Sequence, residues 1–208
     1  MKHKSSLYEI IVFSLIFIFL IIPPFFSAPL DGKTALFTWN FPIRQTGLCI
    51  FALVLFFLSR NLNTKKGFFF PSLLALTLLF FCALLIKVIT KSNYKSPLPS
   101  SVLEWIFCLL TFLFAAVYEE IIYRFYFSDS LFRLMNYTAL AGKKWLFWLC
   151  EICGLLVFAF AHLYLGISAV INAAFAHIVL RFLYKKTNLI WNCVLIHFLY
   201  NIISLILL

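Results

Sequence analysis

The chain has 208 residues, of which 64% are hydrophobic, 20% aromatic and only 12% charged. Soluble domains are nearer half apolar and a quarter charged, so an ordinary soluble domain is excluded and a bundle of membrane helices, at about 20 residues per span, is expected. The formal net charge of +10 does not point to nucleic acid, because the basic residues fall in short clusters between apolar runs, the positive-inside pattern of a membrane protein.

Seven apolar runs follow one another, at roughly 8–26, 46–59, 68–89, 102–127, 145–165, 168–183 and 188–208. The predicted fold is therefore all-α, a polytopic transmembrane helix bundle of about seven spans. The first run begins like a secretory signal, with Lys2 and Lys4 before it, but Pro29 follows the best cleavage candidate, Ala28. It reads as a retained first span or signal anchor. The second run is short and is expected to reach back to about Phe41. Placing the N-terminus in the cytoplasm puts Lys2, Lys4, Arg60, Lys65, Lys66, Arg133, Lys143, Lys144, Arg181, Lys185 and Lys186 inside, against Lys33, Arg44, Lys87, Lys91 and Lys95 outside. That asymmetry predicts an N-in, C-out orientation, and a bacterial-type cytoplasmic membrane is the expected location.

The six cysteines, Cys49, Cys82, Cys108, Cys150, Cys153 and Cys193, all lie in apolar segments. They imply no disulfide framework, and the Cys150-x-x-Cys153 pair supplies only two of the four ligands of a structural zinc site. Plain helix packing is the expectation for that pair.

The fourth run carries the feature that apolar packing does not explain. Glu119 and Glu120 are adjacent near its cytoplasmic end, with Arg124 four residues beyond. A charge in a bilayer core costs about 2.5–3.5 kcal/mol on insertion scales, and such groups are rare and usually functional. On an α-helix Glu120 and Arg124 share a face in the favourable order for an ion pair. Glu119, rotated by about 100° from Glu120, is left to face an interior cavity. A desolvated carboxylate beside an imidazole is suited to general-base work.

The segment 128–144 interleaves Leu131, Phe132, Leu134, Met135 and Leu140 with Asp129, Arg133, Asn136, Lys143 and Lys144. It is expected to be an interfacial amphipathic helix joining two spans. His162 ends the apolar stretch Val157–Ala161 of the fifth run, and Trp145–Leu149 is expected at the interface, so that this span starts near Cys150. His177 reads as structural or substrate-lining. In the last run His197 and Asn201 share a face four residues apart. An imidazole and a carboxamide so stacked can both donate to one developing oxyanion, or hold helices together as polar glue.

Taken in order, Glu119-Glu120-x-x-x-Arg124, Phe158-x-x-x-His162 and His197-x-x-x-Asn201 resemble the three motifs of the CAAX protease and bacteriocin-processing (CPBP) intramembrane proteases. That group includes the Ras-converting CAAX endopeptidases and the abortive-infection membrane proteins. The stretch Tyr184–Trp191 also resembles that family's link into its last catalytic helix. The resemblance covers about residues 101–205 and divides the chain into three N-terminal spans over 1–100 and a catalytic core over 101–208.

The resemblance implies proteolysis within the membrane. Glu119 would activate water together with His162, His197 and Asn201 would stabilise the tetrahedral oxyanion, and Glu120 and Arg124 would support the site. It implies a membrane-embedded or membrane-anchored peptide or protein as substrate, held in the lipid bilayer, and no nucleic acid. A glutamate-based site without cofactor is favoured, because there is no HExxH and Asn is a poor zinc ligand. If zinc is bound, its ligands would be Glu119, His162 and His197. The alternative functions are a non-catalytic membrane scaffold or immunity protein that keeps the polar cluster as structural glue, and a small transporter with a proton relay.

Overall fold

A computed structural model describes residues 2–22, 39–59, 69–90 and 97–207. Among the described residues the regular structure is entirely helical: α1 (Lys2–Ile16) with a π-helical end (Phe17–Ile21), α2 (Ile43–Ser59), α3 (Phe69–Thr90), α4 (Val102–Glu119), a π-helical segment (Glu120–Phe127), α5 (Ser128–Met135), α6 (Lys144–Phe160), a short 3-10 turn (Leu163–Leu165), α7 (Ile167–Thr187) and α8 (Ile190–Leu207). Five stretches are long and apolar enough to cross a membrane, Phe70–Thr90, Val102–Met135, Lys144–Leu165, Ile167–Thr187 and Ile190–Leu207, and Leu7–Phe19 and Ile43–Leu58 are shorter apolar helices. These correspond one for one with the seven apolar runs. The expected cleavage-site region around Ala28 and the basic groups Arg60, Lys65, Lys66, Lys33, Lys91 and Lys95 lie outside the described residues.

The fourth span runs further than its apolar stretch. Val102–Met135 is one 34-residue helix, because neither glycine nor proline interrupts the sequence before Gly142. At 1.5 Å per residue it is about 51 Å long, well beyond a hydrocarbon core of about 30 Å. Its start is fixed by a capping box: the Ser101 side chain accepts from the backbone N–H of Glu104 (3.2 Å), and the Glu104 carboxylate accepts from the backbone N–H (2.7 Å) and hydroxyl (2.9 Å) of Ser100. Such reciprocal capping satisfies orphan donors of the first turn. The amphipathic segment expected over 128–144 is helical only to Met135, as the end of this same helix, and turns follow to Lys143.

The chain forms two compact units: residues 1–30 with 123–177, and residues 31–122 with 178–208. In the first unit α1 and α5 pack together, as do α5 and α6. Phe13 and Phe17 stack on Phe127 at 5.4 and 6.2 Å. Phe132 meets Phe147 edge-on at 6.0 Å. Gly154 of α6 has no room for a side chain, because a Cβ there would collide with the Ser128 hydroxyl. Close approach at a glycine is a common way to pack membrane helices, where van der Waals contact replaces the hydrophobic effect.

In the second unit α4 packs on α2 and α8, and α3 packs on α8. Small buried residues line these contacts, Cys49 and Ala52 on α2 and Cys108 and Ala116 on α4. Aromatic pairs brace the rest: Trp39 on Phe112 (5.6 Å), Phe41 on Phe107 (5.9 Å), Phe56 on Trp191 (5.7 Å) and Phe80 on Tyr200 (5.4 Å). The Trp39 indole N–H donates to the Pro97 carbonyl at 3.3 Å. Asn188, at φ 51°, makes the sharp link between α7 and α8. Asparagine tolerates this left-handed geometry better than other side-chain-bearing residues, and its N–H donates to the Tyr184 carbonyl at 2.7 Å.

Candidate active site

Glu119 is the last residue of α4 and Glu120 the first of the π-helical segment. The widened turn replaces i→i+4 by i→i+5 hydrogen bonding, a local irregularity frequent at functional sites. The Glu120 N–H is shared between the Ala116 and Val117 carbonyls at the changeover. The two carboxylates have different surroundings: the Glu120 side chain is fully buried, whereas Glu119 keeps 21% of its side-chain surface accessible.

His197 of α8 lies against both. Its Nδ1 is 2.6 Å from Glu120 Oε1, a side-chain contact between residues 77 apart in sequence. A carboxylate accepts and does not donate, so this contact assigns the proton to Nδ1. Nε2 is then directed to the other carboxylate, 4.0 Å from Glu119 Oε2. That gap is too long for a direct hydrogen bond and short enough for one oxygen atom to bond both groups. Asn201 follows one turn along α8 and is half-buried. The second unit thus brings together Glu119, Glu120 and His197, with Asn201 on the same helix. The direct Glu120–His197 contact had no sequence signal, since spacing along one helix says nothing about a partner on another.

Arg124 and His162 belong to the first unit, where both are organised around Phe158. The Arg124 side chain is fully buried, and its guanidinium carbon lies 4.3 Å from the centre of the Phe158 ring, a cation–π contact. Tyr123 meets the same ring edge-on at 5.3 Å, and His177 lies tilted against it at 5.6 Å. His162 is the first residue after α6 and its Ala161 cap, at the start of the 3-10 turn. Its Nδ1 bonds the Phe158 carbonyl at 2.9 Å, and its ring sits 4.8 Å from the Phe158 ring. A carbonyl only accepts, so this contact places a proton on His162 Nδ1. The Phe158-x-x-x-His162 spacing thereby acquires a physical reason: one turn separates the imidazole from the carbonyl that fixes its tautomer. Gly166, at φ 98° and ψ 170°, closes this turn in a region of backbone space essentially reserved for glycine.

His177 is buried beside Gly154, its Nε2 3.7 Å from where a Cβ there would stand. α6 is helical from Lys144, and Trp145 and Trp148 in its first turns are exposed. Cys150 and Cys153 are free thiols, the first buried and the second half-buried.

Among the described residues no group of three or more His, Cys, Asp and Glu side chains is placed to hold a metal ion. In the second unit Glu119 and His197 Nε2 supply two ligand atoms, short of the three protein ligands of a catalytic zinc. Within the second unit the donors fall short of such a site.

No curated protein and no solved structure matches the chain. Residues 101–203 do match a family model, that of the type II CAAX prenyl endopeptidase Rce1-like proteins. The matched region begins at the cap of α4 and ends two residues beyond Asn201, so it takes in all three motifs. With its polar residues set in long apolar helices, the protein is an integral membrane protein, and through residues 101–203 the chain belongs to the type II CAAX prenyl endopeptidase Rce1-like family.

Proposed function

We propose that the protein is an intramembrane endopeptidase that hydrolyses a membrane-associated peptide or protein with a glutamate-activated water. The observation that carries this reading is the placement of one imidazole between two carboxylates of unlike exposure, Nδ1 on buried Glu120 and Nε2 towards Glu119. A structural ion pair needs one carboxylate. The second, partly accessible and 4.0 Å from Nε2, leaves a place for the oxygen atom that reacts.

In the proposed reaction Glu119 takes a proton from water as the water oxygen attacks the scissile carbonyl carbon. The C=O bond becomes a C–O⁻ bond. His197, holding protons on both ring nitrogens before the water attacks, donates to this oxyanion through Nε2, together with the Asn201 carboxamide N–H. Glu120 accepts from Nδ1 and stabilises the positive imidazole, as a buried carboxylate does in other histidine-based hydrolases. Glu119 then returns its proton to the amide nitrogen, the C–N bond breaks, and an acid and an amine leave. The motif resemblance alone assigns His162, whose Nδ1 bonds the Phe158 carbonyl, as the partner of Glu119. Arg124, seated on Phe158, is the structural support of that side. In this reading the protein lies in a bacterial-type cytoplasmic membrane with its N-terminus inside.

The test is cleavage of a prenylated peptide ending in cysteine, two aliphatic residues and a variable residue, by purified protein in lipid. Glu119→Gln keeps the shape and removes the basicity. Turnover should fall by about 10²–10⁴-fold with KM nearly unchanged. A Glu119→Gln protein that cleaves at the wild-type rate refutes the assignment of the base. A wild-type protein that cleaves neither prenylated nor unmodified peptides favours the scaffold reading.

A further inference from the structure

α6 has two faces with opposite character. Leu146, Cys150, Gly154 and Phe158 form a buried stripe at four-residue spacing. Two residues out of phase, and so about 200° around the helix, Lys144, Trp148, Ile152, Leu156 and Phe160 form an exposed stripe. Its chemistry is graded along the axis: an ammonium, an indole one turn on, then two aliphatic side chains and a phenyl ring. Lys143 is exposed beside Lys144, and Trp145 and Trp148 are 51% and 66% accessible.

The order matches a phospholipid laid along the helix. From Trp148 to Phe160 the rise is about 18 Å, which is one leaflet of a 30 Å hydrocarbon core with a few ångströms of interface. Indoles favour the headgroup level, and lysines at helix ends reach the phosphate level. A neutral headgroup would satisfy the lower part of the stripe but gains little from two adjacent ammonium groups. A lysine near an anionic membrane surface contributes about 1 kcal/mol.

We propose that the exposed face of α6 is a binding site for an anionic phospholipid, its headgroup on Lys143 and Lys144, its glycerol region against Trp148 and one acyl chain along Ile152, Leu156 and Phe160. The site selects by charge at one end and by length at the other. Nothing in it depends on the proposed hydrolytic chemistry.

The test uses the full chain in mixed micelles, with phosphatidylglycerol or phosphatidylcholine brominated on the acyl chains as quenchers of indole fluorescence. Subtracting the signal of Trp148→Phe from wild type isolates Trp148 among the five tryptophans. Half-quenching of Trp148 should need at least about fivefold less phosphatidylglycerol than phosphatidylcholine, the selectivity expected of a single lysine. The double variant Lys143→Gln/Lys144→Gln should quench equally with both lipids. Equal quenching in wild type, or a preference that survives in the double variant, overturns the proposal. So does absence of quenching by either lipid, which would mean that another protein surface, such as a second copy of the chain, covers this face.

Discussion

Replacing Glu120 by Gln asks whether the buried carboxylate is only packing or sustains the charge on His197. Gln has the same shape, and its amide oxygen can still accept from His197 Nδ1, so the 2.6 Å contact can persist as a neutral hydrogen bond. What is lost is the negative charge. Hydrogen bonds to charged groups contribute about 1.5–3 kcal/mol, against about 0.5–1.5 kcal/mol for neutral ones, and the low dielectric around a fully buried pair keeps that difference from being screened away. That difference, about 1–1.5 kcal/mol, disfavours the doubly protonated imidazole that faces the developing oxyanion, and slows turnover by about 5–13-fold. KM should move little, because the scissile carbonyl carries no charge in the ground state. Glu120→Ala is harsher: it leaves a cavity and strands a buried donor, and breaking a buried ionic pair costs about 3–5 kcal/mol. It should reduce the yield of folded protein as well as activity. Glu120→Asp keeps the charge with a shorter reach and should lie between wild type and Gln. The assay is kcat and KM on the prenylated peptide, beside the thermal unfolding midpoint of each variant. A Glu120→Gln protein with wild-type kcat refutes the role of Glu120 as the charge partner of His197.

Asn201→Ala should lower kcat by about 10²–10³-fold if the carboxamide is an oxyanion donor, with the unfolding midpoint held near wild type because Asn201 is only half-buried; a drop in stability with unchanged kcat would make it polar glue instead. Gly166→Ala forces a side chain into φ 98°, ψ 170°, a strain of about 1–3 kcal/mol, and should lower the unfolding midpoint and disturb His162, which opens the same turn; an unchanged midpoint refutes the strain.

Much of the architecture was readable because hydropathy alone sets where a chain must be helical in a membrane. The seven runs coincide with the apolar helices for that reason, although Phe127 proved an interior position of a helix that continues through Ser128 and Ser130. Polarity marks where a helix leaves the hydrocarbon, and does not by itself end the helix. Glu119, Glu120, His197 and Asn201 were readable as out of place in apolar surroundings. Their pairing was less so. Reading the motif on a regular α-helix gave Glu120 only the neighbour four residues on, whereas the turn widens at Glu120 itself, and its contact to His197 spans 77 residues. The tautomer of His162 was likewise hidden, because it depends on a backbone carbonyl. The capping box at Ser101–Glu104 has a plain sequence form, Ser-x-x-Glu before an apolar run, and could have been found.

That cap makes α4 a measuring rod. Ser101 and Ser100 hold the first turn where polar groups are wanted, and from Ser101 to Glu119 there are eighteen residue steps without a break in the helix, about 27 Å. The hydrocarbon layer is about 30 Å thick. If the helix enters the hydrocarbon at Ser101, a carboxylate at that height stands near the far surface and not at the midplane. Under the proposed hydrolysis, a peptide bond brought to Glu119 would come from a tail lying just under the headgroups. A chain tethered there by a lipid reaches that level without unwinding a helix, whereas a peptide bond halfway through a transmembrane span would have to travel about 12 Å along the membrane normal to arrive.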